Sequence, residues 1–266
     1  MYNYVDSGNL KNMEVAMKKL VIVTLVLVVG ISLVFGAGAK EREGYVFGSD
    51  ATWPPLEVVD ENGEIVGFEI DLIKAISEKS GVPMTVRNVA WEGIFAGLAN
   101  GAYDAVASGV TVLEERKEIM DFTTPILEVT QSIIINKNSA PIADEAGLSG
   151  KRIGVQIGTT GHFAAEKINN VTIRAYDEIG LAVEDLLNRN LDAVVADSII
   201  AADFVLSNEN YADRLIVSGE VAGDVEEIAM AVRKGNTELL NLLNRNIAEL
   251  KADGTIDALK KKWNIL

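Results

Sequence analysis

The 266-residue sequence contains no cysteine and a single histidine, His162. Without thiols there is no disulfide, no thiolate nucleophile and no cysteine-based zinc or iron–sulfur site, and the compartment stays open on redox grounds. Positive charge is scarce as well: 24 Lys and Arg stand against 39 Asp and Glu, a net charge of −15. A balance this acidic, with no basic block, repels phosphate backbones and anionic lipid, so nucleic acid is not an expected partner. No HExxH, Walker A or GxGxxG pattern occurs, no G-x-S-x-G turn frames a serine, and the carboxylates lack metal-loop spacing. No catalytic residue, metal or cofactor is therefore expected. What is present is 48% apolar and 24% charged residues, enough for one large or two small cores.

Met17-Lys18-Lys19 precedes an apolar run of 16 residues, Leu20 to Phe35, and Ala37-Gly38-Ala39 follows it. A basic start, an apolar stretch and a small-residue site make an export signal over residues 1–39, cleaved after Ala39. The run is short of the roughly 20 residues that span a bilayer, which argues against an anchor and against stable membrane insertion after cleavage. Residues 1–16 are polar and point to Met17 as the start of translation. With no cysteine after the run, lipid attachment through one is excluded. Removal of 1–39 leaves 21 basic and 37 acidic side chains, or −16, in a periplasmic or extracellular protein.

From Gly44 onward, β-branched runs alternate with helical patterns: VFGS, a helix from Asp71 to Lys79, TVRNV, a helix from Trp91 to Ala99, and a strand from Asp104 to Ser108. A second cycle runs from Lys151 through a helix at His162 to Ile168, TIRAY, a helix from Ile179 to Leu187, and a strand from Asp192 to Ala196. Leu98 precedes Asp104-Ala105-Val106 by six residues, and Leu186 precedes Asp192-Ala193-Val194 by six, an internal echo of two lobes of one design. The alternation predicts an α/β protein with largely parallel sheets. Thr123 to Ile135 looks extended throughout, and Val221 to Ile228 has similar content, so the chain is expected to cross twice between lobes. Lobe 1 then comprises 40–127 and 225–266, ending in helices from Thr237 to Lys251 and Thr255 to Trp263. Residues 128–224 supply the hinge strands and an inserted lobe 2.

Ligands of parallel sheets lie beyond the carboxyl ends of the strands, so the loops at 49–55, 108–111, 156–161 and 196–198 are the candidate cleft. Thr111 and Glu114 fit a capping box whose free amides attract an anion, with Arg116 beside it; the alternative is a surface arginine paired with Glu114 or Glu115. Gly158-Thr159-Thr160-Gly161 offers hydroxyl and amide donors to the same anion, or is a plain N-cap loop. Asp197 is either an ammonium acceptor or an N-cap, and Asp50 either neutralises a second cation or is a turn residue. Trp53 and Trp91 are stacking walls or core. Asp71 is expected to cap its helix, Glu69 to support a loop, and His162 to face solvent.

G-F-E-I-D-L (67–72), D-x-x-x-P-P-L-E (50–57), D-A-V-x-S-G-V-T-x-x-x-E-R (104–116), D-F-T-T-P (121–125), G-V-Q-I-G-T-T (154–160) and D-G-T-I-D-A-L-K-K-K-W (253–263) occur in order over Gly44 to Leu266. This set resembles the polar amino-acid-binding proteins of bacterial ABC importers, which include histidine-, lysine/arginine- and glutamine-binding members. The resemblance implies a two-lobed type II periplasmic-binding-protein fold joined by two hinge strands. It assigns Arg116 to the ligand α-carboxylate, with Thr111 and the Thr159-Thr160 region, and Asp197 with Gly109 to the α-ammonium. Trp53 and Trp91 fall at wall positions where the family usually has Tyr, Phe or Leu. Asp50 matches an acidic residue facing the distal end of the ligand, and Gln156 a position that varies with specificity. The implied function is an exported receptor that delivers an L-amino acid to a permease with its ATPase. Asp50 and Asp197 favour a basic ligand, arginine before lysine or histidine, with glutamine second. The alternatives are a prephenate- or arogenate-dehydratase-like enzyme on the same fold, and a sensory module with the same pocket.

Overall fold

The apolar segment Tyr45–Ser49 forms strand β1, and the spacing of Phe68, Ile70, Leu72, Ile73 and Ile76 gives helix α1 (Phe68–Ser80) a buried stripe that joins Phe47 in one core. The structure is a computed structural model that describes residues 44–208 and 210–265. The export signal, its cleavage site and the Met17 start lie outside the described residues. Between β1 and α1 the chain makes an antiparallel meander of β2 (Thr52–Trp53), β3 (Glu57–Val59) and β4 (Ile65–Val66) that the sequence reading did not anticipate. There follow β5 (Met84–Asn88), α2 (Ile94–Asn100), β6 (Ala105–Val106), α3 (Glu114–Lys117) and β7 (Met120–Phe122). The second cycle contains β8 (Leu127–Asn136), α4 (Glu145–Leu148), β9 (Arg152–Gln156), α5 (Thr160–Glu166), β10 (Thr172–Tyr176), α6 (Ile179–Leu187), β11 (Ala193–Asp197), α7 (Ser198–Ala202) and β12 (Leu215–Ile228). Then come β13 (Ala231–Arg233), α8 (Thr237–Ala252) and α9 (Thr255–Lys262).

Two five-stranded sheets result, in the orders β5-β1-β6-β13-β7 and β10-β9-β11-β8-β12. In both, the first three strands are parallel and the last two join antiparallel. The echo seen at Leu98 and Leu186 is thus carried through the whole sheet: β1, β5 and β6 correspond to β9, β10 and β11. The first sheet takes β13 from the far side of the second. The two connecting segments run side by side, Thr123 N–H donating to Met230 O at 2.9 Å and Ile126 N–H to Ile228 O at 2.8 Å. Beyond them β8 and β12 pair from Leu127↔Ile228 to Asn136↔Leu215, with shifts at Val217/Gly219 and Val221/Glu226.

Some local expectations change. Helix α2 starts at Ile94, so Trp91 lies in the loop before it. Asp71 is inside the first turn of α1 and does not cap it; its carboxylate accepts the Trp263 indole N–H at 2.7 Å and Lys262 Nζ at 2.6 Å, tying α1 to the carboxyl-terminal helix. Thr111 is not a cap either. Its backbone is drawn into a bridge with Ile228 on the connecting segment, and α3 starts after Leu113 without a side-chain cap.

Candidate functional site

The carboxyl ends of the parallel strands of both sheets point into one cleft, the position that open α/β sheets reserve for ligands. Asp50 and Trp53 follow β1, Ser108, Gly109 and Thr111 follow β6, Gln156, Thr159 and Thr160 lie at and after β9, and Asp197 ends β11. With Trp91 and Arg116 they line about 310 Å³ of space that includes the open mouth. All ten residues singled out in the sequence therefore converge, and Ser108 joins them.

Arg116 is buried (6% exposed), contrary to the surface alternative; Glu114 pairs instead with Lys117 at 2.7 Å. Its guanidinium donates to Thr111 O at 3.1 Å and Gly158 O at 3.2 Å, and lies 5.7 Å from the centroid of Trp91 and 5.0 Å from that of Phe95. Those rings meet edge to face at 5.2 Å, so α2 and the loop before it build an aromatic seat for the cation. Among the described residues Arg116 has no ion-pair partner. Burial lowers its pKa, against the pull of Glu115, Asp197 and Glu226.

Asp197 stands at the N-cap position of α7 but makes no capping bond. Its carboxylate accepts Gln131 Nε2 at 2.7 Å, because Gln131 sits directly opposite it in the β8–β11 ladder. Burial raises the Asp197 pKa to about 7; the Gln131 bond opposes the shift, Glu226 adds to it, and Arg116 and a bond from Trp53 counter it. Gln131 also reaches Thr160 Oγ1 at 3.1 Å and both Glu226 carboxylate oxygens at 3.3 Å. Sequence reasoning missed Gln131, Glu226 and Phe95. Gln131 had a signal: at alternate positions along β8, Leu127, Val129, Ile133 and Ile135 are apolar and buried, and Gln131 is the polar residue on that face.

At another part of the cleft, Asp50 accepts Thr52 Oγ1 and Gln156 Nε2, each at 3.0 Å, and burial raises its pKa. Thr159 caps α5, accepting the His162 N–H at 3.3 Å and donating to Gln156 O at 2.9 Å. His162 is half-buried rather than solvent-facing, and its Nδ1 accepts the Gly158 N–H at 3.1 Å, which shapes this loop. Thr160 Oγ1 lies 3.4 Å from Thr111 Oγ1 across the cleft. Gly109 has a left-handed backbone (φ 58°), and a Cβ there would stand 2.9 Å from Trp53 Nε1, so no larger residue fits without displacing the indole. Glu69, as anticipated, supports a loop: its Oε2 accepts the Gly109 N–H at 2.9 Å.

The arrangement offers one buried cation from the side of the first sheet, one buried carboxylate from the second, hydroxyl and indole groups between them, and a second carboxylate at Asp50. No group of three or more His, Asp or Glu among the described residues has metal-binding geometry.

Residues 45–265 match the model of the bacterial extracellular solute-binding proteins, family 3. The L-cystine-binding protein TcyJ of Escherichia coli (strain K12) is 33% identical over 226 residues, 84% of each chain. ABC transporter arginine-binding protein 1 of the same strain is 35% identical over 252 residues, 93% of this chain and 99% of that one. A solved ancestral arginine-binding protein bound to arginine shares the fold with a TM-score of 0.78 and 38% identity, covering 84% of this chain and 98% of that one. The fold thus has its counterpart in a solved relative, and the chain belongs to the bacterial extracellular solute-binding proteins of family 3.

Proposed function

We propose that this protein is an exported receptor that closes on a free L-amino acid with a cationic side chain, arginine first, and hands it to an ABC importer permease and its ATPase. The lobes of this reading are 40–127 with 225–266, and 128–224, hinged at the crossing strands. The observation that carries it is the meeting of Arg116 and Asp197 from opposite sides of one cleft. A zwitterion presents a carboxylate to the guanidinium and an ammonium to the carboxylate, and charge-assisted bonds of this kind are the strong ones. Thr111, Thr159 and Thr160 add hydroxyls beside Arg116, while Gly109 adds its backbone near Asp197.

The preference for arginine follows from charge. The cleft is lined by one cation, Arg116, and two carboxylates, Asp197 and Asp50. An α-amino acid uses Arg116 and Asp197, which leaves Asp50 to a positive side chain running between Trp53 and Trp91. Cystine, the ligand named for one relative, carries a second carboxylate that finds no second cation here. The relatives are named as binding proteins, which favours a receptor over an enzyme. Calorimetric titration with the twenty amino acids and cystine tests the assignment. Tight binding of glutamine or cystine with no response to arginine overturns it.

A further inference from the structure

Behind the floor of the cleft lie two carboxyls that ligand recognition does not use. Glu57 on β3 and Glu69 in the first turn of α1 are both 0% exposed. Glu57 Oε1 accepts the Ser108 hydroxyl at 3.1 Å, and the Ser108 oxygen in turn accepts the Asp50 N–H at 2.9 Å. Glu69 Oε2 accepts the Gly109 N–H at 2.9 Å. Each carboxyl therefore spends one oxygen on the 108–109 turn that lines the cleft. The other two oxygens, Glu57 Oε2 and Glu69 Oε1, are buried and no donor of another residue reaches them. The two carboxyls bond to adjacent residues of one turn, and each keeps a buried oxygen with no hydrogen-bond partner, so two charges would be packed together there without water. Two carboxylate oxygens attract only through a hydrogen between them, and two adjacent ionised carboxylates in a dry interior repel strongly.

We propose that Glu57 and Glu69 share one proton in the folded protein and act as a positioning pair that fixes the Ser108-Gly109 turn and, through Ser108, the Asp50 backbone. The charged groups acting on the pair are its own two members and Asp50, from the loop after β1, so no cation relieves the repulsion. In agreement, burial raises the Glu57 pKa well above the ordinary carboxylate range and that of Glu69 to about 7.

The sign of the pH dependence follows. The unfolded chain releases both protons in the ordinary carboxylate range, whereas the folded pair keeps at least one throughout, so folding takes up protons and stability falls as pH rises above that range. The folding equilibrium constant loses up to about tenfold per pH unit for one proton. Glu57→Gln replaces the shared hydrogen by an amide N–H and still accepts from Ser108. Urea unfolding from pH 5.5 to 8.5, without ligand, should show the wild type losing stability more steeply than Glu57→Gln, by up to that factor per unit. Asp197 contributes equally to both profiles and cancels. Parallel profiles overturn the proposal. A second readout does not depend on the variant folding: protein labelled with 13C at its glutamate carboxyls should show a protonated-carboxyl infrared band at pH 8.5. Absence of that band in the wild type overturns the shared proton. For the positioning role, which rests on the amino-acid reading of the cleft, Glu57→Gln should bind arginine much as the wild type does, whereas Glu57→Ala should bind about tenfold or more weakly, the scale of one orphaned buried hydrogen bond. Equal affinity in both variants overturns the positioning role alone, and the ligand-free measurements stand whichever amino acid the cleft takes.

Discussion

Replacing Arg116 by methionine should separate affinity from stability. The guanidinium is buried, rests on two aromatic rings and donates to two backbone carbonyls, yet has no carboxylate partner among the described residues. Hydrogen bonds from a charged donor contribute about 1.5–3 kcal/mol each, and the aromatic contacts about 1–2 kcal/mol more. Against this stands a desolvation penalty of several kcal/mol for an unpaired buried ion. The opposing contributions are of similar size, so Arg116→Met, which keeps most of the apolar contact, should change ligand-free stability by no more than about 1 kcal/mol. Binding has no such compensation: loss of the group proposed to receive the ligand carboxylate should cost about 2–5 kcal/mol, or roughly 30- to 5,000-fold in Kd. Urea denaturation without ligand and calorimetric titration with arginine measure the two quantities. A variant that unfolds several kcal/mol more easily, or that binds arginine as the wild type does, refutes the reasoning.

Asp197 titrates near neutrality in the free protein, with a pKa of about 7, and must be ionised to accept an ammonium. Arginine affinity should therefore be level above that pH and fall as pH drops through it, approaching about tenfold per unit toward pH 5; Asp197→Asn should bind weakly at every pH and lose this dependence, and a profile shared by both proteins refutes it. Asp50→Asn should weaken arginine binding by about 1.4 kcal/mol, tenfold, by replacing a charge-assisted bond with a neutral one, while leaving glutamine binding nearly unchanged; equal losses for both ligands would count against Asp50 as the side-chain partner. Gly109→Ala forces a Cβ toward the Trp53 indole in a left-handed backbone and should lower stability by about 1–3 kcal/mol, with a red or blue shift of tryptophan emission reporting the displaced ring; an unshifted spectrum with full stability refutes that contact.

The cleft was more legible in the sequence than its packing. Gly109, Gln156 and Asp197 were found because each stands at the carboxyl end of a strand, a place that follows from α/β alternation without knowledge of any contact. The burial of Arg116 was not legible. It lies in a single turn of helix, too short for periodicity to assign a face, and its depth is set by Trp91 and Phe95, which come from a different element. Thr111 has the spacing of a helix cap, and only the long-range bridge to Ile228 decides otherwise. Gln131 stayed hidden for a related reason: an extended segment between two cycles reads as a connector, whereas the structure makes β8 an inner strand whose polar residue faces Asp197. The meander β2 to β4 escaped because its strands have only two or three residues each. Local pattern fixed the sites that depend on one element, and missed those that depend on two.

Several contacts join the walls of the cleft directly, among them Arg116 to Gly158 O, Gln156 to Asp50, and Thr111 to Thr160. The jaws are latched by the same groups that would greet a guest. A newcomer must therefore exchange bonds rather than simply add them, and a molecule that matches at one end only would break more than it makes. On the proposed reading of the cleft, such a latch would reject half-fitting solutes, such as simple amines or carboxylic acids, without any group dedicated to excluding them.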